Sequence, residues 1–268
     1  MISLPLAAAA QDEPIPEGLE TVVVEASEVE TLLGRIVTPG VPEDVAQAAF
    51  DDLVHLGASA TPELIAVYQD PADTEHRRWV AARALGHMGG RAASEALMEG
   101  MRAQEFMSRI AATSALGVMQ GDDARMALEE ALFDPSMEIR CTAADGLLQI
   151  GHQASSVPLA RALGTPDSFH RGRSLPVRGH IVLALGGTGG ETAIEALIGV
   201  LDDRDELLRA TAIKALEEAS GASPSGVIGN GRTATPAEVE AWKDWWDTHQ
   251  RALGVPVEEA PLDEGQAG

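Results

Sequence analysis

Aromatic side chains are nearly missing from this sequence: four Phe, four Trp and one Tyr stand among 268 residues. Sandwiches, barrels and most enzyme interiors rely on aromatic area for packing. An interior built here must be filled by Ala, Leu, Val and Gly, which favours closely packed helices. The single cysteine, Cys141, excludes an intramolecular disulfide and any zinc site with two or more cysteine ligands. Positive charge is scarce as well. Asp and Glu number 42 against 19 Lys and Arg, a formal charge of -23, which argues against broad contact with phosphate backbones or anionic lipid surfaces, since both need clustered cations. Nucleic acid is therefore not an expected partner. No run of 18 or more apolar residues is present, so no helix is expected to span a membrane. The seven histidines contain no i,i+3 or i,i+4 pair, and P-loop, dinucleotide and G-x-S-x-G motifs are lacking. The sequence thus gives no sign of a metal, a cofactor or a catalytic residue. Ligands assembled across stacked helices are the alternative that spacing leaves open.

What is present in quantity is repetition. The segments beginning "RWVAARALG", "RIAATSALG", "RCTAADGLL", "RGHIVLALG" and "RATAIKALE" start at Arg78, Arg109, Arg140, Arg178 and Arg209, spaced by 31, 31, 38 and 31 residues. Three places on stand Ala81, Ala112, Ala143, Ile181 and Ala212; seven places on stand Leu85, Leu116, Leu147, Leu185 and Leu216. With Met88, Met119, Ile150, Thr188 and Ala219 at ten, these offsets trace one stripe of a helix, and its small residues admit a close neighbour. Gly89, Gly121, Gly151, Gly189 and Gly221 are expected as left-handed C-caps. A second apolar-periodic segment follows each, so one repeat is a helix, a glycine turn and an antiparallel helix. An earlier copy, "AQAAFDDLVHLG", lacks the arginine, and a short helix over Glu28–Val37 is expected before it.

These residues resemble the HEAT-repeat family, in particular the short bacterial repeats of the phycobilisome-lyase-like type, whose first helix reads R-x-x-A-x-x-x-L-G. The resemblance covers about residues 42 to 221. It implies an all-α fold, an α-α superhelix or solenoid of five to six helix pairs. It further implies a scaffold or protein-binding role, since a minority of family members are enzymes. A dinuclear-iron hydroxylase of the family takes its ligands from His-Glu dipeptides; this chain has none, so that ligand set is not carried over. Asp134 and Asp203 precede Arg140 and Arg209 by six residues, where each acid can cap a helix and meet an arginine. The registered arginines are accordingly read as structural ties between repeats. Cys141 is read as a packing residue.

Four regions follow. Residues 1–27 form a signal-like N-terminal segment: "MISLPLAAAA" followed by acids resembles the end of an export signal, so a periplasmic location is expected, with a cytoplasmic one as the alternative. Residues 28–221 form the solenoid. Residues 222–251 hold a Gly-rich loop and the helix "TPAEVEAWKDWWDTHQ", with Thr235 as N-cap and Glu238 completing a capping box. Its Val239, Trp242, Trp246 and His249 lie mostly on one face, expected to cover the last repeat. Trp245 is off the main stripe, and a ligand platform there is the sharper alternative. Residues 252–268 form an acidic tail.

One stretch departs from the period. The 38-residue step contains "SFHRGRSLPVRGH", residues 168 to 180, with three arginines, two histidines and no acid. The seven extra residues fall in the connection "TPDSFHRGRSLP", where solenoid insertions form edge loops. His170, Arg171, Arg173 and His180 are the candidate binding residues, suited to an acidic segment of a protein partner. The competing explanation pairs Arg171 and Arg173 with Asp167 or with "DDRDE" at 202–206. The expected function is a non-catalytic interaction module that uses the concave face lined by second helices together with this basic loop. A lyase-type or enzyme-accessory role and a periplasmic ligand-binding role are the rivals.

Overall fold

A computed structural model of the chain describes residues 26–119, 121–224 and 233–252. The signal-like stretch, "LETVVVE" at 19–25, residues 225–232 of the Gly-rich connection and the tail from 253 onward lie outside the described residues. Those described form thirteen helices and one small hairpin. The helices are α1 (Glu28–Val37), α2 (Glu43–His55), α3 (Thr61–Gln69), α4 (Glu75–Met88), α5 (Arg91–Met101), α6 (Phe106–Val118), α7 (Asp122–Ala131), α8 (Met137–Ile150), α9 (Ser156–Leu163), α10 (Val177–Thr188), α11 (Glu191–Val200), α12 (Glu206–Ser220) and α13 (Pro236–Ala252). Strands β1 (Phe169–His170) and β2 (Arg173–Ser174) fall between α9 and α10. Even-numbered helices from α2 to α12 stack in one layer, and odd-numbered helices from α3 form the other. Each unit touches its neighbours in the chain, which makes the fold an all-α solenoid.

The predicted stripe is the seam of the first layer. Ala81, Ala112, Ala143 and Ala212 are fully buried, as are Leu85, Leu116, Leu147, Leu185 and Leu216, each leucine contributing about 2 kcal/mol relative to exposure. The glycine that ends the R-x-x-A-x-x-x-L-G pattern proves to be a contact residue. A Cβ on Gly117 would lie 3.1 Å from Gly146 Cα, and one on Gly186 3.0 Å from Ala215 Cα; one on Gly86 would meet the Ala115 backbone. Successive first helices therefore touch backbone to backbone. Where Leu148 occupies the glycine's place, Gly187 of the next helix makes room, since a Cβ there would lie 2.5 Å from Leu148 Cδ1.

Of the expected C-caps, Gly151 and Gly221 adopt the left-handed conformation. Gly121 does not close a helix: α6 ends at Val118 with Met119 as its extended C-cap, and Gly121 opens α7 with φ 123°.

Four of the five registered arginines reach forward into the next repeat's connection, while Arg209 donates back to the Asp203 carbonyl at 2.7 Å. Arg78 grips Glu105 through both terminal nitrogens, at 3.1 and 2.6 Å, and donates from Nε to the Tyr68 carbonyl at 3.2 Å. Arg109 donates to Asp134 Oδ2 at 3.2 Å, and Arg178 pairs with Asp203. Asp134 also accepts from Ser136 N at 2.8 Å, and Asp203 from Asp205 N at 2.8 Å, so each closes the turn that leads into the next first helix. Each acid thus meets an arginine, that of the preceding repeat, but does not cap the helix: α12 is capped by Asp205, which accepts from Leu207 N and Leu208 N, and α8 has Ser136 as N-cap without a side-chain bond. Arg140 differs: its Nη2 donates to the Asp167 carbonyl at 3.0 Å and its Nη1 to the Asp134 carbonyl at 2.9 Å, so backbone oxygens stand in for a carboxylate.

Helix α13 closes the stack against α11 and α12. Thr235 N donates to Glu238 Oε2 at 2.8 Å and Glu238 N to Thr235 Oγ1 at 3.2 Å, the expected capping box. Trp242 and Trp246 are buried. Lys243 bonds Asp202 at 2.6 Å and His249 bonds Glu191 at 2.9 Å, tying the middle and the C-terminal part of the helix to the last full repeat.

Two outcomes follow from this packing. Gly86→Ala gains about 1 kcal/mol of helix propensity but overpacks the α4–α6 seam by about 1–3 kcal/mol, so chemical denaturation should show net destabilisation. Gly199→Ala, on α11 with open space around it, should stabilise. The Glu105 carboxyl is held down at about 2, first by Arg78 and then by the Ser108 hydroxyl. Its folded value lies below the unfolded one, about 4.3. The pair therefore contributes fully above about pH 5, and the contribution disappears as pH falls toward about 2. Because the Glu105 side chain is 46% exposed, screening limits it to the order of 1 kcal/mol. The stability difference between the wild type and Glu105→Gln, from urea melts, should stay level from pH 8 to 5 and shrink below that; a difference that grows on acidification would contradict the assignment.

Candidate functional site

The seven extra residues fold into the hairpin β1–β2. Its register pairs Phe169 with Ser174 and His170 with Arg173, leaving Arg171 and Gly172 as a two-residue loop. Both have positive φ, 50° and 74°, as a hairpin turn matched to strand twist requires. Arg171 is the one non-glycine residue with positive φ among the described residues.

Side chains alternate across a strand, and here the alternation separates anchor from surface. Phe169 and Ser174 point inward. The Arg178 guanidinium carbon lies 4.4 Å from the centroid of the Phe169 ring, a cation–π contact. Ser174 Oγ donates to Asp203, at 3.1 Å to Oδ1 and 3.0 Å to Oδ2, and also meets Arg178. Burial alone would raise the Asp203 carboxyl, but the Asp205 amide, Arg178 and Ser174 together hold it below its ordinary value. The acceptor is therefore an ionised carboxylate. The hairpin is further closed by Leu175 N donating to the Ser168 carbonyl at 2.9 Å.

His170, Arg171 and Arg173 are exposed on the opposite side. Among the described residues, neither Arg171 nor Arg173 makes an ion pair. Of the acids that could pair with them, Asp203 is engaged by Arg178 and Ser174 and Asp202 by Lys243, and Asp167 contributes its backbone carbonyl to Arg140. His180 is separate from this group. It sits on α10 with Nδ1 2.7 Å from Asp145 Oδ1 of α8, half-exposed. Trp245 lies on α13, half-buried, with its ring 5.0 Å from that of His249 and 6.5 Å from that of Trp246. The structure therefore gathers three of the candidate residues and places His180 and Trp245 elsewhere. Cys141 is half-buried, and burial pushes its thiol up, away from a reactive thiolate. No group of three or more metal-ligating side chains occurs among the described residues, and no described helix is long and apolar enough to cross a membrane.

Sequence reading missed Phe169 and Ser174 as anchors and the hairpin itself. The available signal was the Arg-Gly pair, a weaker form of the Asn-Gly turn, with Phe169 as the one strand-favouring residue beside it.

Comparison with known proteins bears on the repeats. A family model for HEAT repeats matches residues 95–175, and the PBS lyase HEAT-like repeat matches residues 77–102 and 177–203. Among curated proteins the chain has no match. Among solved structures it is similar to human deoxyhypusine hydroxylase (20% identity, TM-score 0.42, 73% of this chain and 96% of that one). It is also similar to the complex of CpcE and CpcF of phycocyanin lyase from Nostoc sp. PCC7120 (23% identity, TM-score 0.44, 58% and 96%). A designed armadillo repeat protein is similar at 15% identity and TM-score 0.38, over 71% and 99% of the two chains. The matched segments coincide with the stacked helix pairs from α4 to α11, so these pairs are similar to HEAT repeats, among them the PBS lyase HEAT-like type.

Proposed function

We propose that this chain is a protein-interaction module without chemistry of its own, and that the hairpin β1–β2 grips an acidic segment of its partner. One observation carries the reading: the hairpin's inner side chains are fixed to the Arg178–Asp203 pair while Arg171 and Arg173 project outward without an acid. An anchored loop loses little entropy on binding, which favours affinity. A guanidinium offers planar paired donors to a carboxylate. Arg171 adds support, since a side chain in the left-handed region costs on the order of 1–2 kcal/mol that Gly or Asn would largely avoid. Charge is kept at the tip against that preference. The layer of second helices supplies the extended contact surface expected of stacked repeats. The lyase-type alternative rests on the repeat model alone and names no residue of this chain.

The test is recovery of partners by the tagged full-length chain, compared with Arg171→Asn/Arg173→Gln, in which Asn still suits the left-handed turn. At least one partner retained by the wild type should be lost by the variant, and its retention should weaken as salt rises. Thermal melts of the two proteins should agree. Identical recovery by both proteins would remove the hairpin from the interface.

A further inference from the structure

The second-helix layer is not continuous. Helices α3, α5 and α7 pack in series, as do α9 and α11, but α7 and α9 scarcely touch. The cause is local. Helix α9 is the shortest of the described helices, and its start leans toward the following repeat: Ser156 Oγ donates to the Gly189 carbonyl at 2.9 Å, and the Gln153 side chain fills the space where a Gly190 Cβ would stand. Two contacts bridge the gap. Ser155 Oγ donates to Glu129 Oε1 at 2.7 Å, and the Arg161 guanidinium carbon lies 4.3 Å from the Phe133 ring centroid.

Apolar side chains stand exposed among charged ones on the elements bordering this gap. Met126 on α7 is 56% exposed and Val157 on α9 63%, with Phe133 at 38%. A recess of about 140 Å³ beside Phe133, between α5 and α7, is lined by Met98, Met101 and Ile139 among others. Methionines re-pack readily around an incoming side chain, and apolar patches rimmed by polar residues mark interaction sites. Glu95, Glu99, Asp122, Asp123 and Glu130 are exposed on α5 and α7. Glu95 pairs with Arg91 and Asp122 with Arg125, and Arg102 lines the recess, so the excess acid of the rim is Glu99, Asp123 and Glu130, which make no ion pair among the described residues.

We infer that this face of α5, α7 and α9 is a second docking surface, occupied by a basic segment of a partner protein that sets a bulky apolar side chain against Met126, Phe133 and Val157. Charge selects among the occupants. Residues 1–25 and 253–268 contain acids and no Lys or Arg, so neither end of this chain complements the rim. A second copy carries the same charge of -23. A basic segment is drawn to the rim over a distance of about a Debye length, and the apolar contact then fixes it.

The probe is a short synthetic peptide of Lys and Leu in amphipathic helical order, titrated into the full-length protein carrying ¹³C-methyl methionine. The Met126 methyl resonance, assigned with Met126→Leu, should shift most, followed by Met98 and Met101. Asp123→Lys/Glu130→Lys should weaken binding at least about tenfold, and the equal charge change Asp44→Lys/Asp52→Lys on α2 less than about twofold. Val157→Ser should also weaken it, while Arg171→Asn/Arg173→Gln leaves it unchanged, so this surface and the hairpin fail or survive separately. Equal effects of the two charge reversals, equal binding of an all-Lys peptide, a stationary Met126 methyl, or no binding would each overturn the inference. So would a dimer, seen by sedimentation and abolished by Val157→Ser, which would make a second copy the occupant.

Discussion

The forward reach of each buried arginine into the next repeat's connection is the constraint on which the stack depends. Apolar burial supplies most of the attraction between repeats but is non-directional. With Ala and Leu recurring at the same places in successive first helices, a slide along the seam would sacrifice little area. Arg78, Arg109 and Arg178 remove that freedom. Each is anchored at one end by its own helix and at the other by a carboxylate in the connection that leads into the following first helix. Displacement would strand a desolvated charge, costing several kcal/mol. The glycine–backbone contacts of the same seam set the distance, and the arginines set the register.

This division explains what the sequence made legible. The period, the Ala and Leu stripe and the cap on α13 recur or follow local rules, so they could be read from spacing alone. That Asp134 meets Arg109 of the preceding repeat could not, because the partner stands 25 residues earlier in the chain and only stacking brings the two together. Gly121 was expected to close a helix but opens the next, since α6 stops at Val118 and leaves an extended link. The glycines that follow Leu85, Leu116 and Leu185 make their backbone contacts with the neighbouring repeat, which spacing within one repeat does not reveal. At the insertion, two-residue strands give no periodicity to detect. His170, Arg171 and Arg173 were visible as a charge anomaly, while Phe169 and Ser174, which hold them, carry no charge to attract notice.

The register ties also shape the surface. Arg77, Arg78, Arg109, Arg125 and Arg178 are held in ion pairs within or between repeats, so much of the scarce positive charge faces inward. The exterior is left more uniformly acidic than composition alone suggests. A small exposed cationic element in such a field is conspicuous to an approaching acid, yet it also sits in a negative long-range potential that repels one. Short-range contact must then outweigh the field, which requires donors held in place beforehand. The hairpin meets that requirement through Phe169 and Ser174.

Both departures from regular stacking converge on α9. Its start is drawn toward the following repeat through Ser156 and Gln153, which opens the apolar border with α7. Its C-terminal connection carries the insertion, where the Arg140 tie ends on the Asp167 carbonyl and the hairpin hangs from Arg178 and Asp203 of the next unit. A solenoid in which every unit matched its neighbours would present the same face along its length and would discriminate poorly among partners. Loosening a single helix yields an acidic, apolar surface on one side and a basic hairpin on the other. Because the Arg109–Asp134 and Arg178–Asp203 ties stand on either side of α9, the distance between those two surfaces is fixed by the stack itself, so a partner that engages both must match that span as well as the two charges.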